Sequence, residues 1–131
     1  MVKRIVRATA LVAFISLSSC NSTSENPEIN GFNAYQWQRD KYGCSGIRSK
    51  MVSPLLEGQE KVYGYREQNV ISFLGKPDGQ ELYRRGQKFL IYFTEPNSNC
   101  QGQEGEDTKI EKGTLYIRLD ALGKVNELFV E

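Results

Sequence analysis

Three cysteines and a scatter of carboxylates are the groups in this chain able to do chemistry, and they must do it without histidine, which the sequence lacks. The missing imidazole removes the base of Ser-His-Asp and Cys-His hydrolysis and the usual ligand of zinc. Cys44 and Cys100 form no Cys-x-x-Cys pair and have no histidine to activate a thiolate, so a redox or thiol enzyme is the less favoured reading. In an exported chain, where thiols oxidise, they are expected to form one structural disulfide. Carboxylate-pair chemistry stays open. Glu104, Glu106, Asp107 and Glu111 gather in QGQEGEDTKIEKG, and Asp40 with Glu57 or Glu81 is a further candidate pair. The first group sits among Gly, Gln and Asn and reads as a solvated loop, with no apolar wall to desolvate a carboxylate. It also lacks the alternating Asp/Asn spacing of an EF-hand calcium loop. No catalytic residue, metal site, cofactor or small-molecule substrate is assigned on these grounds.

Cys20 has a different setting. Lys3, Arg4 and Arg7 give a positive start, and residues 8–17 are apolar but fewer than the roughly 20 needed to span a bilayer as a helix. LVAFISLSSC then passes straight into the polar NSTSEN. This order of charge, short apolar run, small residues and cysteine resembles the lipobox of bacterial lipoproteins, which implies that Cys20 is acylated on sulfur and becomes the first mature residue. An ordinary signal peptide with an unrelated cysteine, or a buried N-terminal helix, are the plainer alternatives. Several acyl chains at about 0.8 kcal/mol per buried methylene hold a protein on a membrane essentially for good. Among such lipoproteins Asp after the cysteine favours inner-membrane retention. Asn21 stands there, which implies the outer membrane; the family resemblance given below implies its periplasmic face in preference to the cell surface.

Residues 1–19 are thus expected to be a signal peptide, 20–31 a flexible tether and 32–131 a single domain. Beyond residue 19 the chain keeps 14 of its 17 Lys and Arg against 16 acidic residues, a net charge of about −2. No basic stripe interleaved with aromatic residues points to nucleic acid.

The domain divides into a helical half and a strand-rich half. NAYQWQRDKY predicts a helix capped by Asn33 and reaching about Tyr42, with Ala34, Trp37 and Lys41 on one side. Gly43 and Gly46 are expected to break it. Ile47, Met51, Val52, Leu55 and Leu56 form a helix-like set that Pro54 is expected to kink or end. Val70, Phe73 and Leu74 fall at i, i+3 and i+4 in a short helix closed by Gly75, and Pro77 forbids its resumption. ELYRRGQKFLIYFTE reads as a hairpin turning near Arg85 and Gly86, with Phe89, Ile91 and Phe93 opposite Leu90 and Tyr92. Leu115, Ile117 and Leu119 alternate with Tyr116, Arg118 and Asp120. Residues 121–124 turn, and Val125–Val130 returns. The fold class is α+β: N-terminal helices packed on one face of an antiparallel β-meander of three to four strands, whose other face is free to be solvated.

Gly64, Val70, Leu74, Gly75, Pro77 and Asp78 in GYREQNVISFLGKPD resemble the G-x5-V-x3-L-G-x-P-D element of the SmpA/OmlA (BamE-like) lipoprotein family. LYIRLDALGKVNELFV is similar to that family's closing hairpin. Arg66 stands where the family usually carries a helix-capping Thr or Ser, and the segment with Cys44 has no counterpart there. The resemblance implies a small non-enzymatic domain at the outer membrane, in some members an accessory to β-barrel protein assembly. The leading reading is a lipid-anchored scaffold or binding module for envelope proteins, with Tyr83, Tyr92 and Tyr116 as candidate partner contacts. As ordinary strand residues these tyrosines would be half-buried. An inhibitor-type binding protein is the nearest alternative, and a carboxylate-dependent enzyme acting on envelope glycans the more distant one.

Overall fold

The computed structural model describes residues 25–101 and 113–131; Cys20 and the carboxylates Glu104, Glu106, Asp107 and Glu111 lie outside them. Helix α1, Ala34–Arg39, begins where the Asn33 side chain accepts the Gln36 N–H. It ends earlier than the expected Tyr42, because Asp40 leaves helical geometry. The Asp40 carboxylate reaches forward to accept the N–H groups of Ser45 and Arg48. This draws the chain through a 3₁₀ turn, Lys41–Gly43, into helix α2, Ile47–Glu57. Pro54 does not end α2. It falls in the last turn, where its ring deletes a single N–H bond while the fully buried Leu55 holds the turn on the core.

The packed domain also starts before residue 32. Ile29 is buried in the core, in space left by Gly58, where an added Cβ would lie 2.8 Å from the isoleucine Cγ2. Helix α3, Glu67–Leu74, has no side-chain cap from Arg66. Glu67 supplies negative charge to its first turn and pairs with Lys88 at 2.8 Å. Among the described residues no helix is long and apolar enough to cross a membrane.

Strands β1, Gly79–Leu82, β2, Lys88–Phe93, β3, Thr114–Leu119, and β4, Val125–Val130, form one antiparallel sheet in the order β1-β2-β3-β4. The β3–β4 turn is held by Asp120, whose Oδ1 accepts the N–H groups of Leu122 and Lys124. The backbone of Gly64 and Tyr65 bonds to Val125, so the start of β4 is covered rather than left as an open edge.

Period-two alternation divides the sheet residues between two apolar clusters. Leu90, Tyr92, Leu115, Ile117, Leu119 and Leu128 join Trp37, Met51, Leu55, Val70, Phe73 and Leu74 in the main core. Ile91, Phe93 and Tyr116 lie on the opposite face with Phe89 and Phe129, and Tyr42 packs on them from the turn after α1. Antiparallel pairing leaves such a second face free to be solvated. Its aromatic side chains cover one another instead.

Cys44 and Cys100 are joined by a disulfide across 56 positions. Gly43 makes the approach possible. Its φ is +70°, and an added Cβ would lie 2.7 Å from the Phe93 carbonyl oxygen, so only glycine lets this turn lie on the end of β2. Closing a loop of this length contributes about 4 kcal/mol on the chain-entropy model. Urea unfolding followed through the single tryptophan, the buried Trp37, is expected to show a loss of that order on reduction. A loss under about 1 kcal/mol would mean the reduced chain already holds this turn in place.

Candidate functional site

The motif residues converge on one buried charge. Gly75 ends α3 at φ +82°, its N–H bonded to Ile71, and Pro77 prevents the helix resuming. The chain therefore delivers Asp78 to the head of β1, where its Oδ2 accepts the Phe93 N–H and pairs with Arg48 Nη1 at 2.6 Å. Both side chains are almost wholly buried, at 2% and 3% exposure. Arg48 also donates from Nε to the Trp37 carbonyl and from Nη1 to the Phe93 carbonyl, and its guanidinium lies over the rings of Trp37 and Tyr92. Val70 and Leu74 are core, whereas Gly64 is exposed and bonds β4. The motif builds a junction, not a reacting centre.

Of the three tyrosines, only Tyr83 meets the expectation of an exposed contact, at 45% exposure. Tyr92 is corrected outright: it is fully buried, between Arg48 and the end of α3, with its hydroxyl donated to the Gly75 carbonyl. Burial pushes its phenol well above the ordinary tyrosine range. Arg48 works against this, and Asp78 and Glu67 add to it. Tyr116 lies on the second face, raised likewise by burial and then by the Glu131 and Glu81 carboxylates. The candidate carboxylates do not share a setting. Asp40 is buried with both oxygens accepting N–H groups, while Glu57 and Glu81 are exposed. Among the described residues no three of His, Cys, Asp and Glu gather to hold a metal ion.

The second sheet face carries a connected set of rings. Tyr83 packs on Phe89 at 5.2 Å, and Phe89 meets Tyr116 and Phe129 edge-on at 5.9 and 6.0 Å. Tyr116 and Phe129, directly paired across β3 and β4, stack at 5.2 Å. Phe89 and Phe129 remain half-buried, so the set reaches solvent through them and Tyr83. Strand pairing places Glu81 beside Phe89, and Glu127, bound to Arg118, beside the same row. Of the platform, the sequence marks Tyr83 and Tyr116 as candidate contacts but not Phe89 and Phe129; of the junction, it marks Asp78 as a motif residue but not Arg48. The unbroken apolar run FLIYF in β2 is the signal for the first, since a strand apolar at every position has both faces covered. Nothing local marks Arg48.

Comparison with family models, curated proteins and solved structures found no match.

Tyr92 yields a pH signature. Because its folded pKa is raised, its stabilising effect is complete below pH 10 and is lost as pH climbs above that value. Tyr92→Phe should cost about 1 kcal/mol at neutral pH by orphaning the Gly75 carbonyl. The deficit should shrink and then reverse in alkaline solution, as read by urea unfolding at a series of pH values. A constant difference across the range would show that the phenol ionises equally readily in the folded and unfolded chain.

Proposed function

We propose that this chain is a lipid-anchored binding protein of the bacterial envelope, non-enzymatic, held at the outer membrane by acylated Cys20. Its domain presents the ring platform of Tyr83, Phe89, Tyr116 and Phe129 to a partner protein. The platform is the observation that carries this reading: a connected set of rings that reaches solvent at Tyr83, Phe89 and Phe129, with the buried Tyr116 packed against them, offers the side chains that dominate protein interfaces. Glu81, Glu127 and Glu131 fringe it, Arg118 is engaged by Glu127, and the exposed Arg84 and Arg85 follow Tyr83, so the fringe carries both signs and the complementary partner surface is apolar at its centre. The lipobox-like start and the SmpA/OmlA-like motif support the same reading, with a place beside β-barrel assembly as its specific form.

Two experiments test it. Cys20→Ser should abolish incorporation of labelled palmitate and release the protein from the membrane fraction; retention of both would remove the anchor from the reading. Tyr83→Ala, at an exposed position, should leave folding intact and weaken partner recovery after cross-linking in the native envelope by roughly thirty-fold, the loss of one interface anchor worth about 2 kcal/mol. Undiminished recovery would move the binding surface elsewhere.

A further inference from the structure

The outer surface of α1 and α2 has a character opposite to that of the sheet platform. From the cap of α1 to the end of α2, residues 33–57 contain Arg39, Lys41, Arg48 and Lys50 against two acids, Asp40 and the exposed Glu57, which closes α2 outside the groove described below, in a chain whose net charge beyond residue 19 is about −2. Asp40 is buried and consumed as an acceptor, and Arg48 is buried and paired. Arg39, Lys41 and Lys50 are left exposed, and none pairs with a carboxylate among the described residues.

Arg39 and Lys50 line a groove of about 440 Å³ between the two helices, together with Tyr35, Gln36, Ile47 and Met51. Its size falls within the roughly 300–1,000 Å³ of ligand sites. Arg39 is fixed in place before any ligand arrives. Its guanidinium lies 5.3 Å over the Tyr35 ring one helical turn back and donates to the Tyr35 hydroxyl, so less side-chain freedom remains to be lost on binding. Ile47, half-buried, supplies an apolar floor, and Met51, one helical turn on, is a core residue that reaches the groove only by its edge.

We infer that this groove is a second binding site, distinct from the sheet platform, and that it takes an acidic peptide segment of a partner protein. Carboxylates pair with Arg39 and Lys50, and an apolar side chain between them rests on Ile47. A peptide fits better than a sugar chain, because the Tyr35 face on which a sugar ring would stack is occupied by Arg39. The inference does not depend on the lipid anchor or on the platform.

The test is fluorescence anisotropy of a short labelled peptide alternating glutamate and leucine, added to the full chain in neutral detergent, with a lysine-leucine peptide as control. The acidic peptide alone should bind, and weaken as salt is raised. Lys50→Glu and Arg39→Glu should each reduce its affinity by roughly tenfold or more with Trp37 fluorescence unchanged, while Tyr83→Ala leaves it intact. Equal binding by the charge-reversed variants, binding of the lysine peptide, or loss on Tyr83→Ala would overturn the inference. So would capture of anionic phospholipid vesicles through Arg39 and Lys50 without binding of the peptide, which would make the surface a reader of headgroups.

Discussion

The buried guanidinium of Arg48 is the constraint from which the rest of this domain follows. Removing a cation from water costs several kcal/mol, and only a complete set of partners offsets it. Those partners come from three separate parts of the chain. The Trp37 carbonyl belongs to α1, Asp78 to the segment after α3, and the Phe93 carbonyl to the end of β2. A packing that displaces any of them strands either a cation or a carboxylate inside the protein. The junction thus selects one arrangement of helices on sheet from the several that an apolar core of Leu, Val and Phe would tolerate, and Arg48 contributes more to specificity than to net stability.

Local devices near this junction make sense as means of delivering its parts. Gly75 and Pro77 stop α3 so that Asp78 arrives at β1, and the carbonyl freed at Gly75 is taken by the Tyr92 hydroxyl. Asp40 ends α1 and organises the start of α2, which sets the height of Arg48 along that helix. The turn between them is tied down twice, by Gly43 lying on the Phe93–Glu95 backbone and by the disulfide from Cys44 to Cys100. The same turn carries Tyr42 onto Phe93, so Tyr42 covers one end of the second sheet face.

How much of this could be read from the sequence depended on whether the signal was local. Strand alternation and the i, i+3, i+4 set of α3 report their own burial, because each residue's face is fixed by its neighbours' spacing. The α+β class and the antiparallel hairpins follow from those patterns. The Arg48–Asp78 pair spans 30 positions and left no such trace. An arginine in a helix with a modest apolar stripe reads as solvated, and Asp78 reads as a turn residue after proline. Tyr92 misled for a related reason. Its alternation with Ile91 and Phe93 was plain, but both faces of β2 are apolar, so the pattern alone could not say which face met the helices. Pro54 and Ile29 were decided by packing: Leu55 carries α2 past the one, and Gly58 makes room for the other.

The domain's charges are sorted in a way that folding alone does not require. Its buried acids, Asp40 and Asp78, are spent on the core beneath α1 and α2, which leaves that surface positive. The ring platform, by contrast, is fringed by both signs, Glu81, Glu127 and Glu131 with Arg118, Arg84 and Arg85. Surface ion pairs are worth little to stability, so exchanging these signs would cost the fold almost nothing. On the proposed reading, a domain with a basic groove on its helices and an aromatic face on its sheet is suited to bridging two dissimilar partners, each recognised without competing for the other's contacts.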